Sequence, residues 1–371
     1  MALTKVKPSN VDDQVFGRRN IIINGDMRVS QRAQDTAITG QTAGAAVHTV
    51  DRFHTELAGA TVDVQRVADG PAGYYYSQKV TMNGAFTASA SHYVIPFETR
   101  IEGNELQRLS FGTSDAKKMT LSFWIKSSKT GTYTVEAANN NSGGGRKSSC
   151  QYTISSANTW EHKTVTWVGD TTRAFEESTA AELLFYFWAV AGTTFTSGTS
   201  HLGNSWDDGT AANRAAGVSG SAADDDYWAM TGVQLEVGDQ ASPFEFLSYA
   251  EQLHLCRRYY QRFNSGSEGS NYRFGIGSGV NPNKLDTMFQ FSPQMAKVPS
   301  LDAMTAGNYR TNFNSTATSI YIVHATPSGT CVRTEHAANS VEYKGCELLC
   351  PSNFSGHDSF NAAYIAFDAE I

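Results

Sequence analysis

Residues 231–263, "TGVQLEVGDQASPFEFLSYAEQLHLCRRYYQRF", change their hydrophobic period once along their length. From Thr231 to Val237 apolar and polar residues alternate, which predicts a half-buried strand. From Ser248 to Phe263 apolar residues recur every three or four positions, which predicts a helix. The stretch therefore marks a joint between a β domain and a helix.

The predicted helix has a defined start and an apolar seam. Ser248 followed by Glu251 forms a capping box, and Pro243 keeps the preceding strand from continuing. A helix of about 16 residues is only marginally stable alone, so its apolar face packs either against its own sandwich or against copies of itself around a molecular axis. The seam follows alternating steps of four and three residues, as in a heptad repeat. Its members are Tyr249, Leu253, Cys256, Tyr260 and Phe263.

Composition favours an all-β protein on both sides of the joint. Of 371 residues, 18% are charged and 11% are aromatic, and glycine occurs 32 times, which is typical of turn-rich β structure. Short strands separated by Gly, Ser and Asn turns predict a two-sheet sandwich or jelly roll over residues 20–246. After the short helix, residues 247–263, further strands predict a small C-terminal β domain over residues 264–371.

Charge and hydropathy argue against several functions. A net charge of -7 does not suit a general nucleic-acid binder, because phosphate neutralisation needs clustered Lys and Arg. The chain has no run of about 18 apolar residues and no apolar core near its N-terminus, so we expect neither membrane insertion nor a secretory signal peptide. Residues 1–19 are polar and cannot form a core, so we expect them to dock on another protein.

Strand segments of the predicted sandwich carry a first resemblance. They are "INGDM" (23–27), "MTLSFWIKSSKTGTYTV" (119–135), "TWEHKTVTW" (159–167) and "DDDYWAMTGVQLEVG" (224–238). With these segments, the region from Gly40 to Gly238 resembles the carbohydrate-binding modules of the galactose-binding-like superfamily. The resemblance implies a sandwich in which the opening and closing segments lie side by side, often around a structural calcium ion.

A second set of segments extends the resemblance to most of the chain. They are "NIIINGDMRVSQR" (20–32), "TVDRF" (49–53), "GVQLEVGDQASPFEF" (232–246), "YAEQLHLCRRYYQ" (249–261) and "AAYIAFDAEI" (362–371). In this order they resemble a recurrent class of bacteriophage virion proteins, especially tail fibres. The resemblance implies a homotrimer joined through the helix seam, attached to other virion proteins by residues 1–19.

The function implied is adhesion to a host surface glycan by a structural virion protein made in the host cytoplasm. In this interpretation residues 264–371 form the distal tip, and weak sugar contacts gain strength through three-fold valency. Two alternatives stay open. In the first alternative, the chain is a capsid or baseplate decoration protein without a receptor role. In the second, it is a glycan-degrading enzyme of the tailspike type.

The long polar loop of residues 197–226 holds the candidate glycan-binding residues. Trp206 has no strand partner to bury it, whereas the other five tryptophans lie in predicted strands and most of them are expected in the core. An exposed indole can stack on a sugar ring while nearby carboxylates and amides bind its hydroxyls. The alternative is that Trp206 packs against the sandwich or a neighbouring subunit. The candidates are Asn204, Trp206, Asp207 and Asp208.

Acidic residues give a candidate calcium site. Asp224 and Asp226, together with Asp26 from the opening segment, are able to supply hard oxygen ligands, and the resemblance to calcium-containing modules supports this hypothesis. The alternative is a solvated acidic turn. No other cofactor is expected.

The sequence contains no recognisable catalytic motif. No serine elbow, cysteine with a base, phosphate loop or recognisable pair of acids stands out along the chain. We therefore predict that the protein is not an enzyme.

Overall fold

The computed structural model describes residues 18–33, 35–42, 47–264, 271–281, 284–303, 310–311, 317–336, 346–351 and 364–371. The chain divides into two compact units, the first ending at Gln252 and the second beginning at Leu253. Of the predicted attachment segment, residues 1–19, only Arg18 and Arg19 lie within the described residues.

The first unit consists mainly of strands, numbered here in chain order. They are β1 Ile38–Gln41, β2 Val47–Val50, β3 Phe53–Ala58, β4 Val62–Val67, β5 Ser77–Met82, β6 Phe86–Thr87, β7 Tyr93–Glu102, β8 Met119–Ser127, β9 Gly131–Asn139, β10 Arg146–Ile154, β11 Glu161–Trp167, β12 Ala181–Trp188, β13 Val190–Ala191, β14 Ser221–Ala222 and β15 Tyr227–Val237. Short helical segments lie between them: α1 Thr193–Thr196 and the 3₁₀ turns Gly103–Glu105, Gln107–Leu109 and Ala211–Asn213.

Two antiparallel sheets form a sandwich. Sheet A has the order β1-β4-β5-β15-β8-β11, and sheet B has the order β10-β9-β12-β7-β3-β2, with β13 also paired to β7. A small ribbon, β14-β6, lies outside both sheets. The prediction of an all-β sandwich is confirmed.

The core between the sheets follows the two-residue alternation of the strands. In β8, Leu121, Phe123 and Ile125 are fully buried, and the residues between them point to the other face of sheet A. Each buried side chain of this size contributes roughly 1.5–3 kcal/mol. The largest core side chains are Phe53, Phe97, Phe123, Trp167, Phe185, Phe187 and Trp228.

The opening segment, residues 20–27, lies beside the closing strand β15, as the resemblance implied. Ile21 N–H donates to the Leu235 carbonyl at 3.0 Å, and Val233 N–H donates to the Gly25 carbonyl at 2.9 Å. A Cβ on Gly25 would lie 2.0 Å from the Val233 carbonyl oxygen, so this approach requires glycine. Residues 21–23 do not form a strand, and the Asn20 side chain accepts the Leu235 N–H in place of a backbone ladder.

The helix after the sandwich, α2, runs from Tyr249 to Arg257. Its capping box is present: Glu251 N–H donates to Ser248 Oγ at 3.3 Å, and Ser248 N–H donates to Glu251 Oε2 at 2.9 Å. The prediction that the helix continues to Phe263 is wrong. A turn follows Arg257, because the aromatic residues from Tyr260 onward pair as a strand instead. With nine residues, α2 lacks the length that a membrane span requires, and no other helix of the described residues has it.

The second unit is also built from strands. They are β16 Tyr260–Asn264, β17 Asn271–Asn281, β18 Lys284–Gln290, β19 Ser300–Ala303, β20 Arg310–Thr311, β21 Ala317–Thr326, β22 Gly329–His336, β23 Cys346–Pro351 and β24 Tyr364–Asp368. One sheet has the order β16-β24-β19 and the other β20-β23-β17-β18-β22-β21.

The predicted trimer seam is divided between these elements. Cys256 and Tyr260 are fully buried within the chain, and the Phe263 ring packs 5.3 Å from the Phe289 ring in the core of the second unit. Leu253 is half-buried, and Tyr249 is 52% exposed. A continuous helical seam over these five positions is therefore wrong, because Tyr260 and Phe263 belong to a strand whose apolar side is covered within the chain.

Candidate functional site

A cleft of about 370 Å³ opens on the face of sheet A that points away from the core. Its lining combines aromatic rings with small polar side chains. The lining residues are Tyr74, Ser122, Trp124, His162, Gly232, Ala241, Ser242, Pro243 and Phe244. Such a mixture is typical of small-molecule sites, in which apolar walls bind and a few polar groups orient the ligand.

Strand alternation places Trp124 and His162 in this cleft. Because Phe123 and Ile125 point into the core, Trp124 between them points outward. On the neighbouring strand β11, His162 pairs directly opposite Trp124, and the two ring centroids lie 5.1 Å apart. The two rings thus form one continuous surface across two strands.

Gly232 forms the floor between Trp124 and a second ring, that of Tyr74. The pairing of β15 with β8 is interrupted between Thr231 and Gln234, and Gly232 has a φ of +63°. A Cβ on Gly232 would lie 2.9 Å from Trp124 Cδ1 and 3.0 Å from Tyr74 Cε1. A bulge with glycine therefore lets both rings approach the strand.

The strap, residues 239–247, supplies the opposite wall. Glu245 N–H donates to the Gln234 side chain at 2.8 Å, and Glu245 Oε2 accepts the Asn20 N–H at 2.9 Å. These bonds hold the Phe244 ring 5.4 Å from the Tyr74 ring in an edge contact. The wall is thus fixed to both the opening segment and β15.

Two titratable groups of the cleft are uncharged at neutral pH. Burial, together with the nearby Asp26 carboxylate, raises the pKa of Tyr74 to about 12, although a hydrogen bond with Trp124 partly offsets this. Burial lowers the pKa of His162 below its usual value of 6.5. The cleft therefore offers neutral hydrogen-bonding groups beside aromatic faces, which is the chemistry that a sugar requires.

The predicted glycan contact Trp206 is not exposed. Only 8% of its surface is accessible, its indole N–H donates to the Val168 carbonyl at 2.8 Å, and its ring packs 5.6 Å from Phe111. The expectation of an exposed ring is wrong, because the loop folds back and adds Trp206 to the sandwich core. The alternative stated from the sequence, packing against the sandwich, is the observed one.

The neighbours of Trp206 do not converge on a binding surface. Asp207 accepts N–H groups of Gly209 at 2.8 Å and Thr210 at 3.1 Å, so it shapes its own loop. Burial favours a higher pKa for Asp207, but these bonds and one from Asn213 outweigh it and lower the pKa. Asn204 and Asp208 are exposed, whereas the ring of Trp206 between them in the sequence is buried.

The calcium candidates are not brought together. Asp224 accepts the Gly84 N–H at 2.7 Å, and Asp226 accepts the Ser128 hydroxyl at 2.8 Å, both just before β15 begins. Asp26 is buried beside Arg28 at the level of Val233, about 20 Å further along the strand. Burial raises the pKa of Asp26. The described residues contain no cluster of three His, Cys, Asp or Glu that could hold a metal ion, so this ligand set is wrong.

Ser149 of strand β10 meets a histidine and an aspartate of the long loop. Ser149 Oγ lies 3.0 Å from His201 Nδ1, and His201 Nε2 lies 3.1 Å from Asp207 Oδ2. Ser149 is only 1% exposed, however, and its hydroxyl donates to the Asn213 carbonyl at 2.8 Å. A nucleophile must reach its substrate, so this contact anchors the loop rather than forming a catalytic site.

Trp124 was not among the predicted site residues, because most tryptophans in predicted strands are expected in the core. Trp167, Trp188 and Trp228 are indeed buried, whereas Trp124 and Trp160 are half-buried on the outer face of sheet A. The alternation in "MTLSFWIKS" was a sufficient signal, since the apolar positions before and after Trp124 already define the inward side.

Comparison with known proteins finds weak structural similarity and no sequence match. No protein-family model matches the chain, and no curated protein matches its sequence. Among solved structures, the chain is similar to the enzymatically active domain of tailspike protein 4 of bacteriophage CBA120, with 14% identity and a TM-score of 0.30, covering 59% of this chain and 21% of that one. The chain thus spans about a fifth of that protein's length.

Two carbohydrate-binding modules are similar over most of their own length. TmCBM61, in complex with β-1,4-galactotriose, shows 7% identity and a TM-score of 0.31, over 59% of this chain and 99% of that one. The C-terminal family 22 module of Clostridium thermocellum Xyn10B shows 10% identity and a TM-score of 0.30, over 52% and 89%. At these scores the similarities carry no argument about function, which therefore rests on the cleft.

Proposed function

We propose that the first unit binds a glycan in the outer-face cleft and that the protein is an adhesive structural component of a phage virion. The observation that carries the binding proposal is the aromatic pair Trp124 and Tyr74, held side by side over Gly232 and facing solvent rather than core. The apolar face of a sugar ring stacks on such rings, and the Ser122 and Ser242 side chains line the same cleft for its hydroxyls.

The proposed cellular role is attachment of a tail fibre to a host surface glycan. It is supported by the resemblance of five segments to tail-fibre proteins, and it includes a homotrimer attached to other virion proteins through residues 1–19. Three copies of one weak site raise the apparent affinity for a repetitive polymer by orders of magnitude. The proposed location is accordingly the virion.

The proposal also holds that attachment involves no cleavage of the glycan. The cleft contains His162 but no carboxylate among its lining residues, whereas glycoside hydrolysis uses a pair of carboxyl groups flanking the bond. Ser149 is buried, and the side chains of Ser149, His201 and Asp207 hydrogen-bond to one another and to the surrounding loop. These observations support binding without chemistry.

A panel of bacterial surface polysaccharides immobilised on sensor surfaces tests the proposal. The wild-type chain should be retained by at least one of them, and Trp124→Ala should weaken that retention by tenfold or more, as expected for an aromatic anchor. Tyr75→Ala is the matched control, since Tyr75 is 79% exposed and does not line the cleft. Equal retention of Trp124→Ala and wild type would refute the site, and release of oligosaccharides would refute binding without chemistry.

A further inference from the structure

We infer that the glycan bound in the cleft is acidic, and that the carboxylate of a uronic-acid-type sugar is recognised by Lys79. This inference rests on the proposed function and specifies its ligand. It is carried by an arrangement of lysines and aromatic rings on the same face of sheet A, next to the cleft.

The first part of this arrangement is Lys126 on β8, two residues after Trp124. Two residues on one face of a strand lie about 7 Å apart, so Lys126 borders the cleft. Its ammonium group is 5.1 Å from the Trp160 ring centroid and forms an ion pair with Asp69. Trp160 Nε1 donates to the same Asp69 at 3.4 Å. The ring and the ammonium group are therefore held in place, and the charge of Lys126 is neutralised.

The second part is Lys79 on β5. Ala229 of β15 pairs with Lys126 on one side and with Lys79 on the other, so only a methyl side chain separates the two lysines in this row. The two strand spacings add to about 10 Å, roughly the length of a disaccharide. A ligand that stacks on Trp124 and follows the face of sheet A thus reaches Lys79 within two or three sugar rings.

Lys79 differs from Lys126 in what compensates its charge. Its ammonium group lies 4.4 Å from the Tyr227 ring centroid, and the Tyr227 hydroxyl is fixed by donating to Asn158 at 2.7 Å. Within the part of the chain that the structure describes, no carboxylate forms an ion pair with Lys79. A cation held on a ring, without an acid partner, retains its capacity for a charge-assisted hydrogen bond to an incoming carboxylate.

Matched pairs of polymers separate this inference from the proposed function. The probes are polygalacturonate, alginate and hyaluronan, each immobilised beside its carboxyl-reduced form. We expect at least one acidic polymer to bind tenfold or more tightly than its reduced form, with a preference that weakens between 50 and 300 mM NaCl, because the Debye length falls from roughly 14 to 6 Å over this range. Lys79→Gln should remove most of the preference and leave the reduced form unaffected, and Lys79→Arg should retain it.

The controls assign each failure to one claim. Lys117→Gln changes an exposed lysine outside this face and should bind like wild type. If Trp124→Ala abolishes binding of both forms while Lys79→Gln alters neither, the cleft stands and the acidic ligand is refuted. Equal binding of acidic and reduced polymers also refutes the acidic ligand. If none of these polymers binds while the panel of surface polysaccharides still retains the wild-type chain through Trp124, the cleft stands and the acidic ligand is refuted. If Trp124→Ala binds as wild type does, the proposed function and this inference fall together.

Discussion

Six tryptophans occupy two kinds of position in this chain, and the difference determines what each one can do. Trp206 is buried in the sandwich core, so Trp206→Ala should lower the free energy of unfolding by about 3–5 kcal/mol. Trp160 is half-buried on the surface, and Trp160→Ala should cost about 1 kcal/mol or less. Urea unfolding of both variants measures the contrast. Equal stability of the two variants would show that the loop around Trp206 does not pack as described.

Glu98 makes the stability of sheet B depend on acid pH. Its buried carboxylate lies 2.7 Å from His54 Nε2 and 2.6 Å from Arg100 Nε. Burial favours a raised pKa, but the hydrogen bond and charge of His54 and the charge of Arg100 outweigh it, and the pKa of Glu98 is lowered to about 2. Because the folded value lies below the usual 4.5, the ionised form stabilises the fold above pH 4.5, and this contribution is lost as the pH falls toward 2.

Replacing Glu98 tests this coupling. Glu98→Gln should lower the free energy of unfolding at pH 7 by about 3 kcal/mol and flatten its decline between pH 4.5 and pH 2. Thermal unfolding over a pH series measures both effects. Glu177→Gln, at an exposed position, is the control and should follow the wild-type curve. An unaltered acid profile in Glu98→Gln would contradict the assignment.

At the level of single residues, the sequence predicted burial better than it predicted exposure. Trp167 and Trp228 could be assigned to the core from their strands alone. Trp206 could not, since the contact that buries it is made with Phe111, which is distant in sequence. Long-range packing of a polar loop leaves no periodic pattern in the local sequence. The burial of Trp206 could therefore not be predicted from its polar neighbours in the sequence.

At the scale of elements, the bulge in β15 is what makes the cleft. Gly232→Ala introduces a Cβ with a positive φ and close contacts to Trp124 and Tyr74, so it should both lower stability by about 1 kcal/mol or more and weaken glycan binding. Gly73→Ala is the matched control, because Gly73 also has a positive φ but no atom lies within 4 Å of its added Cβ. Loss of stability in both variants with loss of binding only in Gly232→Ala is the expected result. Full binding by a folded Gly232→Ala variant would contradict the role of the bulge.

The joint after the sandwich shows which helix boundary the local sequence predicts and which it does not. The capping box at Ser248 predicted the start of α2, because both hydrogen bonds of a cap form between residues three apart. Its end was not predictable from the heptad spacing. Tyr260 and Phe263 fit a helical seam equally well, yet β24, about a hundred residues later, pairs with them as a strand. Tertiary pairing therefore overrides the local period at this point.

For the whole molecule, the proposed trimer predicts a mass in solution of about three times 40.3 kDa. Light scattering coupled to gel filtration measures it without reference to shape. Since Cys256 and Tyr260 are buried within the chain, substitutions there would test folding rather than assembly, and Tyr249 is the seam position left exposed. A single species at 40.3 kDa over a wide concentration range would contradict the trimer.

The central claim is that a glycan binds on the outer face of sheet A, at Trp124. The indole N–H signals of the six tryptophans, assigned by single substitutions, report on this directly when an oligosaccharide from a retained polymer is titrated into the protein. The signals of Trp124 and Trp160 should shift and saturate together, while those of Trp167, Trp188, Trp206 and Trp228 stay in place. Saturable shifts at Trp206 with an unmoved Trp124 signal would contradict the claim.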